Sequence, residues 1–283
     1  MVDTEAKKLL NSLLPDVISL AREAGKAILK VYSEVDPAVE YKRDNSPLTQ
    51  ADLISHQIIV DGLAELTPEW PVLSEESREI PFSQREKWGY FWLVDPLDGT
   101  KEFLKRNGEF TVNIALIENG APILGVVYAP AIDKLYYGAR GSGSFKEEGG
   151  DLSPIRTATA DAATIRVVMS RSHGSGEESL ERFTGGAPCE FVSMGSSLKF
   201  CLVAEGAADI YPRTGPTMEW DTAAAQCVVE QAGGTVKDLD GNSMVYNKPV
   251  LLNPGFVASS SKLPAVAEHK SLDPVSALEG RGE

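Results

Sequence analysis

Two aspartates, Asp95 and Asp98, stand behind the apolar run Tyr90 to Val94 and ahead of the turn Gly99-Thr100. A short uninterrupted apolar run predicts a buried strand. That strand delivers both carboxylates to its C-terminal end. Carboxylate oxygens with a backbone carbonyl at fixed spacing suit a hard divalent cation, and Leu97 supplies the carbonyl. The Gly99 and Thr100 amides, opening the next helix, suit a phosphate. A plain Asp-Gly turn accounts for Pro96 and Gly99. It does not account for two acids placed behind a buried strand.

Other groups fit the same chemistry less specifically. Glu75 and Glu76 end a short strand that starts at Pro71. Adjacent acids are most often a solvated turn, yet their place at a strand end allows a cleft shared with Asp95. Asp221 opens an alanine-rich helix in Glu219-Trp-Asp-Thr-Ala-Ala-Ala. There it serves as an N-cap, a cation ligand, or both, one oxygen for each role. Asp52 follows Thr49 at capping-box spacing. Lys199, near a helix start, reads alone as a surface lysine. Paired with Arg213, it suits a second phosphate on the substrate.

The elements that must position these groups are legible from periodicity. Thr4 to Tyr32 places Leu9, Leu10, Leu13, Leu14, Val17, Ile18, Ala21, Ala24 and Ile28 at helical spacing, with an irregularity expected at Pro15. Lys42 to Leu48 reads as a loop or hairpin tip. A second helix starts near Thr49 and buries Ile54, Ile58, Ile59, Leu63 and Leu66 until Pro68. Thr111 to Ile117 and Ile123 to Tyr128 form a hairpin about Glu118-Asn-Gly120. Leu135 to Ala139 is a further strand, and Gly141 to Asp151 is expected to be a surface turn. Arg166 to Met169 is a strand. Ser197 to Glu205 and Asp221 to Ala232 are helices closed by glycine. Three units are expected: residues 1–155 with the metal site, 156–262 as a smaller α/β part, and 263–283 as a disordered tail.

The bulk numbers are those of a globular chain. Its 283 residues are 42% hydrophobic and 24% charged, with a formal net charge of -14. Such acidity argues against nucleic acid and anionic membrane as partners. Cys189, Cys201 and Cys227 have no metal-ligand spacing and read as reduced thiols. Neither a signal peptide nor a transmembrane segment is expected.

The stretch Asp95-Pro-Leu-Asp-Gly-Thr-Lys-Glu-Phe103 resembles the metal motif of the inositol monophosphatase superfamily. Trp220, Asp221, Ala223 and Ala232-Gly-Gly234 match a second pattern of that family. Ser170-Arg-Ser-His173, Gly195-Ser-Ser-Leu-Lys199, Gly215 to Asp221 and Leu252-Asn-Pro-Gly-Phe256 resemble its CysQ-type 3'(2'),5'-bisphosphate nucleotidases.

That resemblance implies a layered αβαβα fold with mixed, largely antiparallel sheets. It implies two or three Mg²⁺ held by Glu75, Asp95, the Leu97 carbonyl, Asp98 and Asp221. Thr100, backed by Asp52, or Glu76 would orient the attacking water. Gly99, Thr100, Ser170, His173, Gly195, Ser196, Lys199, Arg213 and Asp221 would contact the substrate, adenosine 3',5'-bisphosphate. The implied setting is sulfate assimilation with inhibition by lithium. The implied location is cytoplasmic, with peripheral association at the inner membrane's cytoplasmic face also found in the family. Monomer and homodimer both stand. An inositol or sugar monophosphatase is the first alternative. A non-catalytic interaction protein is the second, and the full set of acids argues against it.

Overall fold

Strand β4 (Tyr90–Asp98) is apolar on both sides, so both of its faces need cover. In the computed structural model, which describes residues 4–34, 39–41 (backbone), 47–159, 164–170, 181 and 183–261, it receives that cover from two helical layers. Helices α1 (Thr4–Tyr32) and α2 (Gln50–Leu66) lie on one face. Their Val17, Ala21, Ile28, Ile59 and Leu63 pack on Trp92, Val94, Ile114 and Leu116. Helices α5 (Leu198–Ala204) and α6 (Ala223–Gln231) cover the opposite face, packing with Phe91, Leu93, Ala115 and Ile117. Before these come β1 (Val39–Tyr41), β2 (Pro47–Thr49), β3 (Val72–Ser74) and the short helices α3 (Phe82–Arg85) and α4 (Thr100–Leu104).

The larger sheet runs β3, β4, β5 (Thr111–Glu118), β6 (Ala121–Ala129), β7 (Lys134–Ala139), β8 (Gly143–Glu148), β9 (Asp151–Ile155). Only the β3–β4 pair is parallel. The smaller sheet runs β11 (Cys189–Ser193), β10 (Ile165–Met169), β12 (Ile210–Arg213), β14 (Phe256–Ser259), β13 (Thr235–Asp238). Its β10 pairs parallel with β11 and β12, and the other pairs are antiparallel. The layers are therefore helices, mixed sheet, helices, mixed sheet. The outer face of the smaller sheet carries Ile165, Val167, Ile210 and Val257, with Phe183 against them.

Close approach fixes where α6 sits. A Cβ on Gly125 of β6 would lie 2.1 Å from the Ala224 carbonyl oxygen, so only glycine admits the helix start there.

Three expectations change. The Gly141 to Asp151 stretch is not one turn but the strands β8 and β9, with the reversal confined to Gly149 and Gly150. Its charges do not break the strand because it lies near a sheet edge and pairs them: Lys134 with Glu148 at 2.9 Å, Lys146 with Glu205 at 2.8 Å. Helix α1 runs through Pro15 without interruption. Asp221 is not the first residue of an α-helix; it ends a 3-10 turn, Glu219–Asp221, and Thr222 caps α6. Residues 263–283 lie outside the described residues. Among the described residues, no helix is long and apolar enough to cross a membrane.

Candidate active site

Residues three apart on a regular strand point to opposite faces. Asp95 and Asp98 do not, because β4 bulges between them. Asp95 opposes Asn113 and Asp98 opposes Thr111, so three steps on β4 match two on β5. Pro96 sits inside the bulge, where its missing N–H removes no needed ladder bond. Both carboxylates consequently share the face that looks toward α5 and the Glu219–Asp221 turn.

There each meets a fixed donor. Asp95 Oδ1 accepts from the Leu97 amide at 3.0 Å. Asp98 Oδ2 accepts from the Ser197 amide at 2.6 Å, with the Ser197 hydroxyl at 2.9 Å. Asp221 Oδ2 accepts from the Met218 amide at 2.9 Å. The second oxygen of each carries no hydrogen bond among the described residues. Burial pushes the Asp95 carboxyl well above the usual carboxylate range, and Glu75, Asp98, Asp221 and Asp52 push it the same way. Burial likewise raises Asp221, with Asp98 and Glu75 adding to it.

Such a group of acids, each with an oxygen to spare, fits a hard divalent cation in its donor chemistry. No three His, Cys, Asp or Glu side chains among the described residues yet converge on a single ligating point. The acids are near enough to repel one another, but their hydrogen bonds aim them at protein donors.

Asp52 is buried on α2 and closes the capping box. Its Oδ2 accepts from the Thr49 amide at 2.8 Å and hydroxyl at 2.6 Å. Its Oδ1 stands 3.4 Å from the Thr100 hydroxyl.

A cleft of about 150 Å³ gathers Asp98, Gly99, Ser170, Ser196, Lys199, Arg213 and Asp221 from the expected set. Gly99 takes φ +91°, a left-handed turn that glycine accepts at little cost. Lys199 is buried, not a surface lysine. Its Nζ donates to the Ser196 carbonyl at 2.7 Å and lies 5.5 Å from the Tyr211 ring centroid. Burial lowers its pKa to about 8, with Arg213 lowering it further and Asp98 opposing. Arg213 donates weakly to the Pro216 carbonyl at 3.3 Å, and its buried Nε has no partner among the described residues.

Glu75 lies on the wall of a neighbouring cleft of about 460 Å³. Thr100, Gly195, Glu76, Asp95 and Leu97 line neither cleft; Asp95 is buried, and the Leu97 side chain packs in the core beneath α1 and α2. His173 lies outside the described residues.

Sequence reasoning passed over several groups that the fold brings here. Ser197 links Asp98 to the Asp221 carbonyl, 2.9 Å away, and receives the Asn113 side-chain amide at 2.9 Å. Tyr211 and Phe256 join the cleft through strand pairing, since Arg213 opposes Phe256 and Tyr211 is two residues from Arg213. Ser197 was readable, as the neighbour of Ser196 at a helix start. Asn113 and Phe256 needed the sheet registers.

A profile of the inositol monophosphatase family matches residues 10–274. The 3'(2'),5'-bisphosphate nucleotidase CysQ of Salmonella typhimurium is 51% identical over 247 residues, covering 86% of this chain and 98% of the relative. The chain belongs to the inositol monophosphatase family, among its CysQ-type members. The CysQ of Escherichia coli K12 is also 51% identical, over 251 residues, 87% of this chain and 99% of the relative. The crystal structure of CysQ from Bacteroides thetaiotaomicron superposes with a TM-score of 0.79 at 40% identity, covering 89% of this chain and 98% of that one. The layered architecture described above is thus the family fold.

Proposed function

We propose that this chain is a Mg²⁺-dependent phosphatase that removes the 3'-phosphate of 3'-phosphoadenosine 5'-phosphate, giving AMP and phosphate. The same site accepts the corresponding 3'-phospho sulfate donor, and the setting is sulfate assimilation in the cytoplasm. The observation that carries the reading is one cleft lined by two kinds of group: the carboxylates Asp98 and Asp221, its carboxylate wall, and the cations Lys199 and Arg213, its cation wall. The CysQ relatives' activity agrees with it.

Glu75, Asp95, the Leu97 carbonyl, Asp98 and Asp221 would hold two or three Mg²⁺. Bound there, Mg²⁺ supplies charge neutralisation of the phosphoryl oxygens and a more acidic water. The acids' mutual repulsion then becomes useful, because a cation offsets it and stiffens the site. Either Thr100, its hydroxyl 3.4 Å from the Asp52 carboxylate, or Glu76 would orient the attacking water. Gly99 and Thr100 amides hold the scissile phosphate. Lys199, Arg213, Ser170 and the Gly195-Ser196 turn hold the second phosphate, and His173 reads the nucleoside. Tyr211 and Phe256 give that wall an apolar floor.

The test is phosphate release by purified protein with Mg²⁺, run on the adenosine bisphosphate, myo-inositol 1-phosphate and fructose 1,6-bisphosphate, with and without EDTA and lithium. EDTA- and lithium-sensitive release from the adenosine bisphosphate supports the reading. Preference for an inositol or sugar phosphate keeps the metal site and overturns the second-phosphate wall. No release from any substrate overturns the enzyme reading.

A further inference from the structure

Glu219 is fully buried two residues before Asp221 and does not line the cleft. Its carboxylate accepts from three donors on one loop: the Asn247 amide at 2.6 Å, the Lys248 amide at 2.9 Å and the Lys248 ammonium at 2.6 Å. A buried carboxylate is costly unless its charge is met in this way.

The same loop holds the Asp221 turn along its backbone. Glu219 donates its amide to the Leu251 carbonyl at 2.9 Å, and Asn253 donates its amide to the Thr217 carbonyl at 2.8 Å. The Asn253 side chain donates to the Met218 carbonyl at 2.7 Å. Met218 is the residue whose amide fixes Asp221 Oδ2. Lys248 also reaches Asn253 Oδ1 at 3.2 Å, tying the two attachments together.

The far side of the loop is anchored as well. Arg85 is buried and donates to Asn247 Oδ1 at 2.7 Å and to the Lys248 and Pro249 carbonyls at 3.1 and 3.3 Å. Asn247 adopts φ +69° and returns a bond from Nδ2 to the Arg85 carbonyl at 2.7 Å. Continuous hydrogen bonding thus runs from α3 through residues 247–253 to the turn that carries Asp221.

We infer that the buried Glu219–Lys248 pair is a positioning element that sets the Asp221 carboxylate for cation binding. This rests on the reading of Asp221 as a Mg²⁺ ligand. Outer groups that orient a ligand without touching the ion carry a large share of metal affinity. The sign of the effect separates positioning from simple electrostatics. Acting only through its charge, Lys248 would repel a cation, and its loss would tighten Mg²⁺ binding. Acting by position, its loss weakens it.

The experiment is calorimetric titration of Mg²⁺ into the metal-stripped full chain. Wild type is compared with Asp221→Asn, Lys248→Met, Lys248→Arg and the double variant Glu219→Gln/Lys248→Met. Thermal melting reports which variants fold. Lys248→Met is expected to bind Mg²⁺ about tenfold more weakly than wild type. Lys248→Arg should stay within about threefold, and excess Mg²⁺ should restore turnover in Lys248→Met. If Lys248→Met does not fold, the uncharged double variant carries the same expectation.

Folded variants with wild-type or tighter Mg²⁺ affinity, while Asp221→Asn has lost it, would overturn the inference and leave the metal site standing. Failure of both variants to fold would make the pair a folding element and overturn it too. Absence of Mg²⁺ binding by wild type would instead overturn the reading of the site on which it rests.

Discussion

The two walls of the cleft are built differently. The carboxylate wall takes Asp98 from a bulged strand end, together with the buried Asp95 of the same strand, and Asp221 from the 3-10 turn that precedes α6. Its charges are alike, crowded and expensive without a cation. The cation wall takes Lys199 from α5 and Arg213 from β12, over a floor of Tyr211 and Phe256. Its charges are fewer and rest on backbone carbonyls. On the proposed reading the first wall suits a metal at a cost in metal-free stability, while the second suits an anion and keeps its charge near neutral pH, Lys199 buried and Arg213 partly buried. Catalysis should therefore depend on the first wall and substrate choice on the second.

Removing a ligand from the carboxylate wall should have the largest effect. Asp95→Asn keeps volume and can still accept from the Leu97 amide. It should lower turnover by about a thousandfold, roughly 4 kcal/mol of barrier. It should also raise the melting temperature of the metal-free protein, because a buried and repelled charge is gone. Near wild-type turnover at saturating Mg²⁺ would remove Asp95 from the ligand set.

On the cation wall, Lys199→Met should raise KM for the adenosine bisphosphate by about thirtyfold, the worth of one charged hydrogen bond. kcat on a simple monophosphate should stay within about threefold. Equal losses on both substrates would end the division of labour.

A smaller effect should come from pH. Burial places the Lys199 pKa at about 8. The ammonium is present below that value and lost as pH rises through it, so KM for the bisphosphate should climb between about pH 7.5 and 9. In Lys199→Met that climb should be absent; a climb that persists would assign it to another group.

The smallest change should come from Ser197→Ala. It removes the hydroxyl near Asp98 but keeps the amide bond at 2.6 Å. Mg²⁺ half-saturation should rise by about threefold to fivefold, a modest effect because the single hydroxyl proton is shared between Asp98 and the Asp221 carbonyl. An unchanged value would mean that the amide alone orients Asp98.

The two walls also differ in how far the chain reveals them. The carboxylate wall was legible because its parts are local. Apolar run, two acids, proline and glycine lie in one short stretch, and the bulge follows from residues that tolerate it. The helices α1 and α2 were legible for the same reason, through a periodic apolar face. The cation wall needs pairings across the fold. Arg213 meets Phe256 only once β12 and β14 are in register, and Lys199 reads as a surface residue until Tyr211 covers it. The β8–β9 hairpin hid behind its charges, which a sheet edge pairs rather than excludes. Asp221 looked like a helix cap, and the 3-10 turn that holds it is set by a loop some thirty residues later in the chain.

The claim that one cleft joins a metal wall to an anion wall is tested most directly by comparing two substrates on wild-type protein. These are adenosine 3',5'-bisphosphate and adenosine 3'-monophosphate, identical at the reacting phosphate. kcat/KM should be at least about thirtyfold higher for the bisphosphate, carried mainly by KM. Equal values for the two substrates would contradict it, because the second wall would then hold nothing.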